Sequence, residues 1–182
     1  AGTAGTERPH CSAAMARPLV AQINLAALAA NLERAREKAP RAQVLAVVKA
    51  NAYGHGLLRV LPALQGADGL ALVELDAALV LRDAHYSRRI LLLEGFFAAR
   101  ELPEIARARL AVVVHHEAQV AMLERAVLAR PLEVFVKVNT GMNRLGLAPG
   151  EVARACERLG RTPAVAALRL MTHFARADED DG

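Results

Sequence analysis

Short apolar runs alternate along this chain with longer segments that are apolar on one side only. The runs at 44–48, 69–73, 89–93, 110–114, 132–138 and 165–171 are rich in Val, Leu and Ile and bounded by turn residues. The first of these runs predicts a strand buried on both faces, and the others predict strands as well. A further short strand is predicted at 20–24, with Asn24 placed to cap the helix after it. In that helix Leu25, Leu28, Leu32 and Ala35 share a face, and Pro40 stops it. Helices are predicted at 57–64, at 75–84 with Leu75, Leu79 and Arg82 in helical spacing, and at 102–108. Two more follow at 117–128, where Glu117 suits the positive end of the helix dipole, and at 149–159, where Pro149 suits the first turn. Strand followed by helix throughout predicts an α/β fold with a parallel sheet wrapped by helices.

An open doubly wound sheet and a barrel both fit that alternation. The open sheet usually carries its chemistry after a glycine-rich first turn, and neither GxGxxG nor GxxxxGK[ST] occurs here. Instead Lys49, Arg144 and His173 follow three different strand runs, which is how barrels distribute functional groups. Lys49 ends the run at 44–48, and a polar turn through Asn51, Tyr53, Gly54, His55 and Gly56 follows. An ammonium withdrawn from water gives up its proton more readily, and the free amine is a nucleophile towards aldehydes. The same lysine can also extend its charged end to solvent. Lys137 alternates with Phe135 and Asn139 on one strand face, so a barrel would turn its charge inward.

Composition narrows the class. The 182 residues are 54% hydrophobic but only 3% aromatic, with no tryptophan, so the core must be Ala, Leu and Val. The net charge is +4, but the basic residues are scattered among acids, which argues against a nucleic-acid partner. Cys11 and Cys156 form no metal-ligand spacing or disulfide framework, in keeping with a reducing cytoplasm. The adjacent His115 and His116 point to opposite strand faces, so a shared metal is not expected. Glu94 ends a strand without an assigned role. No apolar stretch approaches the ~18 residues of a membrane span. Residues 1–14 lack the apolar centre of a signal peptide and are expected to be a disordered or non-native leader before Met15.

Four blocks in order, AVVKANAYGHG at 46–56, LLLEGFF at 91–97, KVNTGMNRLG at 137–146 and THFARADE at 172–179, resemble the bacterial alanine racemases. The resemblance runs from about Arg17 to the end of the chain. It implies a (β/α)8 TIM-type barrel followed by a β-rich domain. About six barrel strands would lie here, within 15–182, and none of the second domain, so the chain reads as an amino-terminal fragment. The resemblance also implies a cytoplasmic homodimer that interconverts L-alanine and D-alanine for peptidoglycan, with pyridoxal 5'-phosphate as cofactor.

The resemblance assigns roles residue by residue. It implies that Lys49 forms the Schiff base with the cofactor and serves as acid/base on one face of the substrate. Tyr53 would donate to a phosphate oxygen. Arg144 would reach the cofactor's phenolic oxygen and the substrate carboxylate. His173 would enter a relay whose partners lie beyond Gly182. Some members carbamylate the lysine matching Lys137, making it an anion that orients the arginine. Asn139 departs from the family's usual Asp. Two alternatives share the barrel: a pyridoxal-phosphate carrier without the β domain, and a related decarboxylase. The opposite-face base is expected to be a tyrosine outside these residues, so the chain alone is expected not to racemise alanine.

Overall fold

Strand order decides between barrel and open sheet. The computed structural model describes residues 20–177 and 179. The expected leader with Cys11, and Met15, lie outside the described residues. Six strands form one sheet in the order β1 to β6, each pair parallel. They are β1 (Leu45–Val47), β2 (Gly69–Leu72), β3 (Arg89–Leu92), β4 (Ala111–Val114), β5 (Leu132–Lys137) and β6 (Val165–Met171). Each strand lies beside its predecessor, so the order never reverses as it does at the switch point of a doubly wound sheet. The winding is that of a barrel. β1 and β6 do not pair, and the sheet is unclosed among the described residues.

The connections are α1 (Leu25–Lys38), the single turn α2 (Lys49–Tyr53), α3 (Leu57–Val60), α4 (Leu75–Asp83), α5 (Leu102–Arg107), α6 (Glu117–Glu124) and α7 (Pro149–Gly160). Asn24 caps α1 as expected, its Oδ1 accepting from Ala27 N at 2.9 Å. α3 tightens into a 3-10 turn over Leu61–Leu64, where Pro62 has no N–H to offer the α ladder. α6 stops four residues short of the expected 128, because the chain must reverse through Pro131 to begin β5. Arg158 of α7 forks onto Glu124 of α6 at 2.6–2.7 Å and also pairs with Glu117, locking the two helices side by side.

Two expectations fail at the start of the sheet. Residues 20–24 form no strand, because no described strand lies alongside to complete a ladder, and Val20 is 84% exposed. The lysine strand is not buried on both faces. β1 is an edge strand with one neighbour, and Val47 on the open side is 43% exposed.

Strand alternation divides the core. Leu70, Leu72, Ile90, Leu92, Val112, Val134 and Val136 turn outward and pack with Leu81, Ile105, Leu123 and Leu159 of the helices. The inner face holds a smaller cluster of Ala71, Leu91, Ala111 and Val113, with Leu45, Phe135 and Met171 partly buried against it. At the amino end of that face, Glu133 pairs with Arg89 at 3.0 Å and with Arg169. The stacking places the carboxyl ends of all six strands on one rim.

Candidate functional site

Lys49 leaves β1 at that rim and is half-buried. The turn behind it is left-handed: Ala50, Asn51, Ala52 and Tyr53 have φ of 52° to 55°. Each such residue costs roughly 1–2 kcal/mol because Cβ crowds the next carbonyl. A dense set of local bonds holds the turn against that cost. Ala52 N donates to Val48 O at 2.9 Å, Gly54 N to Ala50 O and Gly56 N to Asn51 O at 3.0 Å. The Asn51 side chain accepts from Leu57 N at 2.7 Å, and Glu74 accepts from Ala50 N at 3.3 Å. His55 closes the turn through Nδ1 to Ala52 O at 2.7 Å. The turn brings Lys49 Nζ to 5.9 Å from the centre of the Tyr53 ring, and Tyr53 is 59% exposed.

The second part of the rim comes from β5. Lys137 is only 6% exposed, on the face that also carries Phe135. Burial holds its ammonium below the ordinary lysine range, and the nearby Arg144 guanidinium lowers it further. The loop after β5 is shaped by Asn139. Its Oδ1 accepts from Gly141 N at 3.2 Å and Asn143 N at 3.0 Å, while its Nδ2 donates to Asn143 Oδ1 at 3.0 Å. An aspartate could make the first two bonds but not the third. The loop then returns against β5, Leu147 N donating to Lys137 O at 2.9 Å. Gly146 is required there, since a Cβ would stand 2.6 Å from Asn139 N. Arg144 is exposed on this loop.

β6 supplies the third part. Thr172 and Thr140 share a hydroxyl hydrogen bond at 2.5 Å, tying the end of β6 to the Arg144 loop. His173 follows, exposed and without a hydrogen bond to another described residue. The rim therefore gathers Lys49, Tyr53, Lys137, Arg144 and His173 on one side of the sheet, although His173 forms no hydrogen bond with the others.

Between these parts the rim is knitted by a residue that the sequence reading missed. Gln119 is 4% exposed and bridges three backbone groups. Its Nε2 donates to Glu94 O and Phe96 O at 3.0 Å, and its Oε1 accepts from His115 N at 2.8 Å. Its signal was a polar side chain four residues before Leu123, on the buried face of α6. Gly95 fits beneath it, where a Cβ would stand 2.1 Å from Val113 O. The two histidines lie just past β4 rather than in it and make different contacts. His115 lies 3.1 Å from Glu94 O, and burial holds its pKa below the ordinary range. His116 caps α6, accepting from Ala118 N at 3.1 Å. No group of metal-ligating side chains occurs among the described residues.

Among the described residues Lys49, Lys137 and Arg144 form no ion pair. A rim with three unpaired cations and a phenol favours an anionic ligand, and an amine among them can bond covalently to an aldehyde. A pyridoxal phosphate, with aldehyde, phenolate and phosphate on one small ring, fits that donor set.

Comparison with known proteins gives the family. The family model described as alanine racemase, N-terminal domain, matches residues 23–182. The alanine racemase of Nitrosospira multiformis is 55% identical over 167 residues, 92% of this chain and 47% of that protein. The biosynthetic alanine racemase of Pseudomonas aeruginosa superposes with a TM-score of 0.81 at 43% identity, over 85% of this chain and 43% of that one. The histidine racemase of Leuconostoc mesenteroides superposes with a TM-score of 0.75 at 28% identity, over 87% and 44%. The chain thus spans about half the length of the curated relatives it matches.

Proposed function

Because this chain belongs to the family of alanine racemase N-terminal domains, we propose that it is the cofactor-holding part of a pyridoxal-phosphate-dependent racemase that interconverts L-alanine and D-alanine. When bound, the cofactor withdraws electrons from the substrate Cα and acidifies its hydrogen. Lys49 holds the cofactor through its amine and, once freed, carries the proton to and from one face of Cα. Tyr53 donates its hydroxyl to the phosphate. Arg144, a fixed charge with a planar fork, holds the substrate carboxylate and the cofactor's phenolate oxygen. Asn139 sets the reach of Arg144 by shaping its loop. His173 stands at the mouth as the start of the relay towards the opposite-face base.

Lys137 needs a different state from a bare ammonium. It is buried beside Arg144 without a carboxylate partner among the described residues, and burial and the Arg144 charge both lower its pKa. A neutral amine adds to CO2 and releases one proton, leaving a carbamate anion that attracts Arg144. We propose that state for the cofactor-loaded protein, which in the cell is a cytoplasmic homodimer. Among the described residues no helix is long and apolar enough to cross a membrane.

The observation that carries this reading is Lys49 at a strand's carboxyl end, with the Tyr53 phenol on the same turn and unpaired cations along the rim. Borohydride reduction of the protein with pyridoxal phosphate, followed by peptide mapping, tests it. The label is expected on Lys49 and should vanish in Lys49→Ala; labelling elsewhere would reject the assignment. Since a histidine racemase shares the fold, histidine is the control substrate beside alanine.

A further inference from the structure

A cavity of about 850 Å³ opens on the rim opposite Lys49, where β3, β4 and β5 begin. Six arginines line it, Arg82, Arg88, Arg89, Arg107, Arg109 and Arg130, against the acids Asp83 and Glu133. Arg89 is paired with Glu133, and Arg107 with Glu104. The other four arginines form no ion pair with a described residue.

None of the four is held in a direct carboxylate pair, although the Asp68 charge acts on Arg88 through space. Arg82 is half-buried and donates to four carbonyls: Ala108 at 2.8 Å, Tyr86 at 2.5 Å, Arg88 at 2.8 Å and Arg109 at 3.0 Å. These bonds engage four of its N–H groups but bring no carboxylate to its charge, which is costly away from water. Arg88 likewise donates to Gln65 O and to Ala67 O at 2.7 Å. Arg109 and Arg130 are exposed. Helices α4 and α5 end on this rim, and each carries a partial charge of only about −0.5 there, too little to balance four cations.

Tyr86 also lines the cavity, with its hydroxyl buried beneath the wall. His85 and Arg109 hold φ of 61° and 52° just past the ends of α4 and α5, positions that favour glycine. Both present basic side chains to the cavity wall.

We propose that this cavity binds a polyphosphate group, whose oxygens accept from Arg88, Arg109 and Arg130 and offset the charge of Arg82. Guanidinium forks match phosphate oxygens two at a time. A single phosphate carries too little charge for four cations spread along one wall, whereas a triphosphate matches them. The site is separate from the Lys49 rim and stands whether or not that rim holds pyridoxal phosphate. A free polyphosphate and a nucleoside triphosphate offer the same group.

Isothermal titration of the whole chain at physiological salt, with tripolyphosphate, ATP and adenosine in parallel, tests the proposal. Tripolyphosphate and ATP are expected to bind saturably and adenosine not at all. Tighter binding of ATP than of tripolyphosphate identifies a nucleotide, and equal binding identifies the phosphate chain alone. The Arg109→Gln/Arg130→Gln double variant should weaken binding about tenfold or more, because charged hydrogen bonds are lost. Arg130→Gln alone, at an exposed position, should weaken it in part. Lys49→Ala/Arg144→Gln should leave it unchanged. Absence of saturable binding would overturn the proposal. So would binding that the rim arginines do not affect, or that the Lys49 and Arg144 changes abolish.

Discussion

The outer and inner faces of the sheet differ in how complete they are. Outward residues such as Leu72, Ile90 and Leu92 are fully buried under helices, and that core is continuous from α1 to α7. Inward residues build only a small cluster, and above and below it the face turns polar, with Lys137 at one end and Glu133 between two arginines at the other. In a closed barrel the inner face is filled by side chains from every strand. The stability of this chain therefore rests on its outer face, while the candidate chemistry rests on its inner one.

Adjacent leucines on β3 give the sharpest contrast. Leu92 faces out at 0% exposure and Leu91 faces in at 4%. Leu92→Ala should cost about 4 kcal/mol and Leu91→Ala about 2 kcal/mol, because the thinner inner layer relaxes around the gap. Urea unfolding of both variants decides, and equal losses would break the contrast. Gly95→Ala comes next, at about 3 kcal/mol, since the added methyl meets Val113 O in a left-handed position.

Lys137→Met should act in the opposite direction. Replacing an unpaired buried cation by an apolar side chain of similar length should stabilise the chain by about 1 kcal/mol, and it should reduce cofactor trapping at Lys49. A variant that loses stability would show that Lys137 has a partner in the folded state. Asn24→Ala, far from both faces, should cost about 1 kcal/mol through the lost cap.

The smallest expected effect is a pH dependence from His115, whose folded pKa lies below its ordinary 6.5. Between those two values the unfolded chain binds more protons, so stability rises with pH. The His115 contribution is fully present above about pH 6.5 and is lost as pH falls through the folded value. His115→Gln should flatten the slope in that window, and an unchanged slope would assign it to another group.

Much of this was legible in the sequence because it is local. Alternating runs marked six strands and their helices, and the family motifs marked Lys49, Tyr53, Lys137, Arg144 and His173. What escaped depends on contacts that pattern cannot carry. Residues 20–24 look like a strand, but a strand needs a neighbour. Nothing in Ala50, Asn51 and Ala52 announces a left-handed turn, which long-range bonds such as that from Ala50 N to Glu74 enforce. The arginines of the opposite rim are scattered in sequence and look like ordinary surface charge. They meet because successive helices end, and successive strands begin, at the same end of the fold.

The central claim is that the inner face holds one side of a two-sided proton transfer. Of the two tyrosines in the chain, Tyr53 lies on the Lys49 turn and Tyr86 lies on the far rim. On the proposed reading Tyr53 serves the cofactor phosphate, so neither is the opposite-face base. The most direct test is to supply the purified 182-residue chain with pyridoxal phosphate and L-alanine and follow D-alanine by chiral chromatography. The account predicts cofactor trapped on Lys49 but no D-alanine above background. Sustained racemisation that disappears in Lys49→Ala would contradict it, placing the second base within this chain.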